Sequence, residues 1–148
     1  MKNLRNSADR REIEERLRSL TANSARQWGK MTPHQMLMHL NDSYRVPLGE
    51  FRVSPKPMPA LMKWGALWFP MKWPAGIATR PELDQAIAGT APGDFAYDVD
   101  LLLTVIDRFC RTDPGTFTEH PNFGKMNASE WMRWGYLHAD HHLRQFGA

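Results

Sequence analysis

Three of the six histidines in this 148-residue chain, His138, His141 and His142, fall within five residues near its end. Neutral imidazole is a ligand for divalent metal ions, so their spacing matters. At about 100° per residue on a helix, His138 and His142 share a face with Trp131, Gly135 and Phe146, while Arg133, Asp140 and Arg144 point the other way. Residues four apart have Cβ atoms about 5–6 Å from each other, so two imidazoles can converge on one ion, as in the H-E-x-x-H metal motif. His141 turns aside toward Trp134 and Leu137 and is the poorer candidate for the same ion. A single histidine on an apolar helix face is ordinarily a hydrogen-bonded core residue. Two of them one turn apart are harder to satisfy with backbone partners, and a ligand role for both requires a third ligand from elsewhere.

The element that must carry this pair runs over 128–146, opened by Asn127 with Glu130 three residues on, the signature of a capping box. Gly135 is its only weak point, at about 1 kcal/mol relative to Ala. A second helix begins at Thr32, with Pro33 at the first helical position and Gln35 closing another capping box. Met36, Leu37, Leu40 and Tyr44 form its apolar stripe, and Pro47 stops it near Val46. His39 lies at the edge of that stripe, where a side chain can reach a neighbouring helix, with Ser43 and Asp42 beside it; His34, in the first turn, is expected to be exposed. An earlier helix, capped by Ser7 or Asp9, runs to about Leu20 on Ile13 and Leu17. A later one starts at Gly93-Asp94, buries Phe95, Val99, Leu102, Leu103, Ile106 and Phe109, and ends at Asp113-Pro114-Gly115. His120 lies in the loop that follows.

Between Gly49 and about Thr90 the composition changes. A proline-rich stretch leads into ALMKWGALWFPMKWPAG, with Trp64, Trp68, Phe69 and Trp73 among few charges. A short amphipathic helix fits at 60–69, and Pro70 and Pro74 prevent a longer one. This segment could cover the open end of a bundle, form an interface between copies or rest on a membrane surface; the first two are favoured. Strand-like alternation is nearly absent, as are internal repeats, phosphate-binding glycine loops and CxxC pairs. The expected fold is therefore all-α, an antiparallel four-helix bundle with a long Pro/Trp-rich connection between helices two and three, forming one domain over 1–148.

Composition narrows the function classes. A hydrophobic content of 42% with six Trp, seven Phe and nine Met supplies one core, and a net charge of +3 is only mildly basic. The N-terminal arginines alternate with Glu12, Glu14 and Glu15, which reads as a solvated helix face rather than a nucleic-acid footprint. The lone Cys110 fits a reducing compartment. No signal-peptide pattern opens the sequence and no run approaches a membrane span, so a cytoplasmic protein without nucleic-acid or stable membrane partners is expected.

His39 with His138 and His142 gives three imidazoles from two helices. Three protein ligands and an open fourth position is the arrangement of a catalytic zinc. An ion held so can activate water, polarise a carbonyl or hold a thiolate, and the residues do not choose between hydrolysis and thiol transfer. The segments MLMHLNDS and HADHHLRQF, in this order and spacing, resemble the DinB/YfiT-like superfamily of helical bundles. WGKMTPHQM and HPNFGKMNASEW are similar to a branch of it described only as a domain of unknown function. The resemblance covers about half of the chain; 50–93 carries no matching motif. It implies a divalent metal, zinc or nickel, on His39, His138 and His142. It also implies a homodimer and a metal-dependent transferase or hydrolase acting on a small-molecule substrate, with a low-molecular-weight thiol as co-substrate. Asp42 and His141 are the candidate catalytic assistants, with Gln145 as a structural neighbour. The competing reading is a non-catalytic metal-binding or stress-response module.

Overall fold

A computed structural model describes residues 1–148. The chain is helical and strandless, with five helices: α1 (Ser7–Ser19), α2 (Pro33–Arg45), α3 (Ala60–Trp68), α4 (Phe95–Arg111) and α5 (Ala128–Arg144). Four of them match the expected segments. The fifth, α3, is the short amphipathic piece of the long connection, which forms a full nine-residue helix.

Local chemistry sets most helix ends. Thr32 caps α2 and Asn127 caps α5, each in a reciprocal capping box with the side chain three residues on, Gln35 and Glu130. Asp94 caps α4 through the Tyr97 N–H. The α1 cap is neither Ser7 nor Asp9 but Asn6, whose side chain accepts from the N–H groups of Ala8 and Asp9. Asp9 is instead engaged by the Asn3 N–H at 2.9 Å.

One continuous apolar cluster joins the elements. Ile13 and Leu17 of α1, Met36, Leu37, Leu40 and Tyr44 of α2, and Val99, Leu102, Val105, Ile106 and Phe109 of α4 meet Trp131, Trp134, Ala139 and Leu143 of α5. Val105, absent from the expected α4 face, is buried, whereas Phe95 and Leu103 sit at its margin.

Gly135 shows why a glycine stands inside α5. A Cβ there would lie 2.7 Å from Leu4 Cδ1 and 3.1 Å from Phe109 Cε1. Its carbonyl accepts a 2.6 Å hydrogen bond from the Tyr44 hydroxyl. Close approach of α2 and α4 to α5 offsets the helix-propensity cost.

The outward side of α5 is not a solvent face. Arg133 is buried and donates to Leu67 O of α3 and Lys2 O, at 3.0 and 2.7 Å. Arg16 of α1 meets Asp140 at 3.0 Å. Charges at helical spacing thus serve as joints between elements. No helix is long and apolar enough to cross a membrane.

Candidate metal centre

His39 on α2 and His138 and His142 on α5 come together: one ring nitrogen from each lies within 4.8 Å of the other two, close enough to hold a metal ion. The Nε2 atoms of His39 and His138 are 3.2 Å apart. Nitrogens about 2.0–2.1 Å from a tetrahedral ion stand roughly 3.3–3.4 Å from each other, so this pair is already at ligand spacing.

The rings are oriented from behind. His39 Nδ1 is 2.9 Å from Leu83 O, in the long connection. His142 Nδ1 is 3.1 Å from Gln145 Oε1. In both, a proton on Nδ1 donates outward and leaves the Nε2 lone pair facing the cluster, the arrangement that metal-bound histidines ordinarily show. Gln145 is held in turn, its Nε2 donating to Trp28 O at 3.1 Å. Gly29 makes room for that amide: at its φ of +82° a side chain would be strained, and a Cβ would lie 2.4 Å from Gln145 Nε2.

His39 is 4% exposed and His142 8%. Burial pushes the imidazoles of His138 and His142 well below their ordinary range and lowers that of His39, and the neighbouring histidines repel a proton further at His138 and His142. All three are therefore neutral at pH 7, the form that binds metal. Three imidazole donors suit a divalent transition-metal ion.

These rings line a cavity of about 340 Å³ whose apolar walls come largely from the long connection and the loop around His120. Trp73 packs at 6.1 Å from the His138 ring and 6.0 Å from that of His141, with its indole N–H donating to Ala66 O of α3. The segment between α2 and α4 therefore does cover the site.

The two assistants expected from the sequence fare differently. Asp42 has no exposed surface and does not turn into the cavity. Its carboxylate accepts from Thr90 N at 2.8 Å, Thr90 Oγ1 at 2.7 Å and Gln85 Nε2 at 3.1 Å. It pins the far end of the connection onto α2. His141 lines the cavity beside the cluster, its ring packed at a tilt against Trp28 with centroids 4.7 Å apart, and burial with the Arg144 charge lowers it to about 4. His34 is not exposed either: its ring packs 4.8 Å from Phe95.

Other cavity residues carried little sequence signal. His120 accepts from the N–H groups of Asn122 and Phe123 at 3.1 Å each, and burial pushes it down to about 3. Leu83 contributes only a carbonyl, which no side-chain pattern announces.

The sequence matches the family described as Protein of unknown function (DUF1569) over residues 2–148. The chain belongs to that family. No curated protein and no solved structure matches this DUF1569 member. The branch of unknown function expected from the flanking motifs thus finds a counterpart, while DinB-like kinship is not part of this match.

Proposed function

We propose that this DUF1569 protein is a metal-dependent enzyme acting on a small molecule. In this reading His39, His138 and His142 hold one divalent ion, zinc or nickel, inside a DinB-like antiparallel bundle formed by α1, α2, α4 and α5. The observation that carries the proposal is the convergence of three neutral imidazoles, His39 and His142 buried and His138 partly so, at one wall of a cavity. A metal there supplies a Lewis acid and an activated nucleophile at neutral pH. The protein's own part is orientation: Leu83 O and Gln145 fix two rings, and Trp73 excludes water. Transfer of a low-molecular-weight thiol and hydrolysis are the two reactions this chemistry serves.

The test is elemental analysis followed by turnover assays with several thiols and esters, with and without chelator. One ion per chain, and activity that vanishes on chelation while the fold persists, are the expected results. Loss of fold on chelation with no turnover under any condition would favour a metal-stabilised binding module instead.

The reading includes a homodimer in a reducing, cytoplasmic setting. Its support is the outer face of α3 and the segment after it, where Leu61, Met62, Trp64, Phe69 and Met71 are exposed. Exposed apolar side chains concentrated in one short segment are a feature of interfaces; Phe69 and Met71 also reach the cavity. Light scattering at ~100 µM should give twice the chain mass, and Trp64→Glu should halve it; a monomer at that concentration removes the dimer.

A further inference from the structure

We infer that the cavity beside the three histidines is built for a small, largely apolar molecule bearing one anionic head, and that Ser43 and His141 read that head. The inference rests on the metal reading above and adds the class of ligand.

The charge of the lining sets the sign. No aspartate or glutamate lines the cavity, whereas Lys72 and Arg80 do. Arg80 is held in place by Ser54 O, by Asn122 Oδ1 at 3.4 Å and by Glu82, outside the cavity, at 4.0 Å. Three neutral imidazoles leave the charge of a divalent ion uncompensated, and an anion is the ligand that such a site favours. A cationic ligand would meet like charge on each side.

The walls set the body. Val53, Met58, Phe69, Trp73, Ile77 and Phe123 form much of the surface. A volume of about 340 Å³ sits at the low end of small-molecule sites, which span about 300–1,000 Å³. An apolar tail gains by entering; a hydrophilic chain would lose its hydration without replacement.

Two polar atoms mark where the head goes. Among the residues that line this cavity, Ser43 Oγ, His138 Nδ1 and His141 Nδ1 are buried without a hydrogen-bond partner; with His138 assigned to the metal, Ser43 and His141 remain for the head. The residues are only 3% and 5% exposed. A buried polar atom left unpaired is destabilising, and a ligand oxygen would offset that for the Ser43 hydroxyl and for His141 with its proton on Nδ1. Ser43 stands one turn beyond His39 on α2, and His141 directly precedes His142 on α5. Each therefore neighbours one of the proposed ligands along its helix.

Calorimetry on zinc-loaded protein at pH 7 tests this, with hexanoate, acetate, hexanamide and hexylammonium as probes and zinc content measured first. Hexanoate should bind at least tenfold more tightly than acetate, which lacks the tail, and than hexanamide, which lacks the charge; hexylammonium should not bind. Ser43→Ala and His141→Phe should each weaken hexanoate at least fivefold with zinc stoichiometry unchanged. Both variants are expected to fold, because the first removes only an unpaired hydroxyl and the second keeps a ring against Trp28. Equal affinity for hexanoate and hexanamide, or for hexanoate and acetate, would overturn the ligand class. Unchanged hexanoate affinity in both variants would overturn the role of Ser43 and His141. Protein that takes up zinc yet shows either result refutes this inference alone; protein that takes up no zinc refutes the metal reading and this inference with it.

Discussion

At the scale of single residues, the three histidines differ in what holds them, and that difference is measurable. His138→Ala or His142→Ala should reduce metal from about one ion per chain to near none, read by elemental analysis; full occupancy in the double variant would contradict the assignment. Gln145 makes a finer test. It touches no metal position, but its Oε1 accepts from His142 and its Nε2 donates to Trp28. Loss of such a supporting partner typically weakens metal affinity by about 10–100-fold, so Gln145→Ala should do so in a chelator competition while leaving stoichiometry at one. Asp42 should behave in the opposite way. Asp42→Ala releases Thr90 and Gln85 and should cost on the order of 3 kcal/mol in urea denaturation, with zinc affinity changed far less than by Gln145→Ala. The sequence placed Asp42 three residues after His39 and so suggested a helper. Spacing along a helix cannot say which way a carboxylate's hydrogen bonds run once the long connection between α2 and α4 folds back onto it.

At the scale of elements, the capping boxes of α2 and α5 were legible because their information is local: a Thr or Asn, three residues, then Gln or Glu. The α1 cap was misassigned, Asn6 lying one residue before Ser7 and three before Asp9, since all three are competent caps and a contact from Asn3 engages Asp9. The weak point expected at Gly135 proves to be a packing device. Alanine there would gain about 1 kcal/mol of helix propensity, but its Cβ would press on Leu4 and Phe109, both fully buried. Overpacking costs about 1–3 kcal/mol, and the larger number should prevail. Gly135→Ala is thus expected to destabilise the protein, by about 1 kcal/mol in urea denaturation. A stabilised variant would show that α5 can shift away from α4.

At the scale of the whole molecule, burial of neutral imidazoles ties stability to pH. An unfolded histidine titrates near 6.5, whereas burial lowers folded His120 to about 3 and His141 to about 4. As pH falls below 6.5 the unfolded state takes up protons that the folded state refuses, so stability declines. The loss is up to about 1.4 kcal/mol per pH unit for each such group, until its folded value is reached. His39, His138 and His142 act with the same sign. Metal-free protein should therefore lose stability steeply between pH 6.5 and 4 and change little from this source above 7, measured by denaturant midpoints across pH. A flat profile below 6.5 would mean that these rings are solvated in the native state.

The sequence by itself determined the helices, the caps of α2, α4 and α5, and the shared face of His138 and His142, because each depends on residues within a few turns or on periodicity along one helix. Tertiary structure alone decided that His39 meets this pair and what surrounds the three: the Leu83 carbonyl behind His39, Trp73 over the site, Asp42 turned into the connection, and Ser43 and His141 among the residues lining the cavity. Those features arise where the long segment between α2 and α4 lies back across the helices. Contacts between residues tens of positions apart follow from how faces fit and which hydrogen bonds burial demands, and no local pattern encodes that.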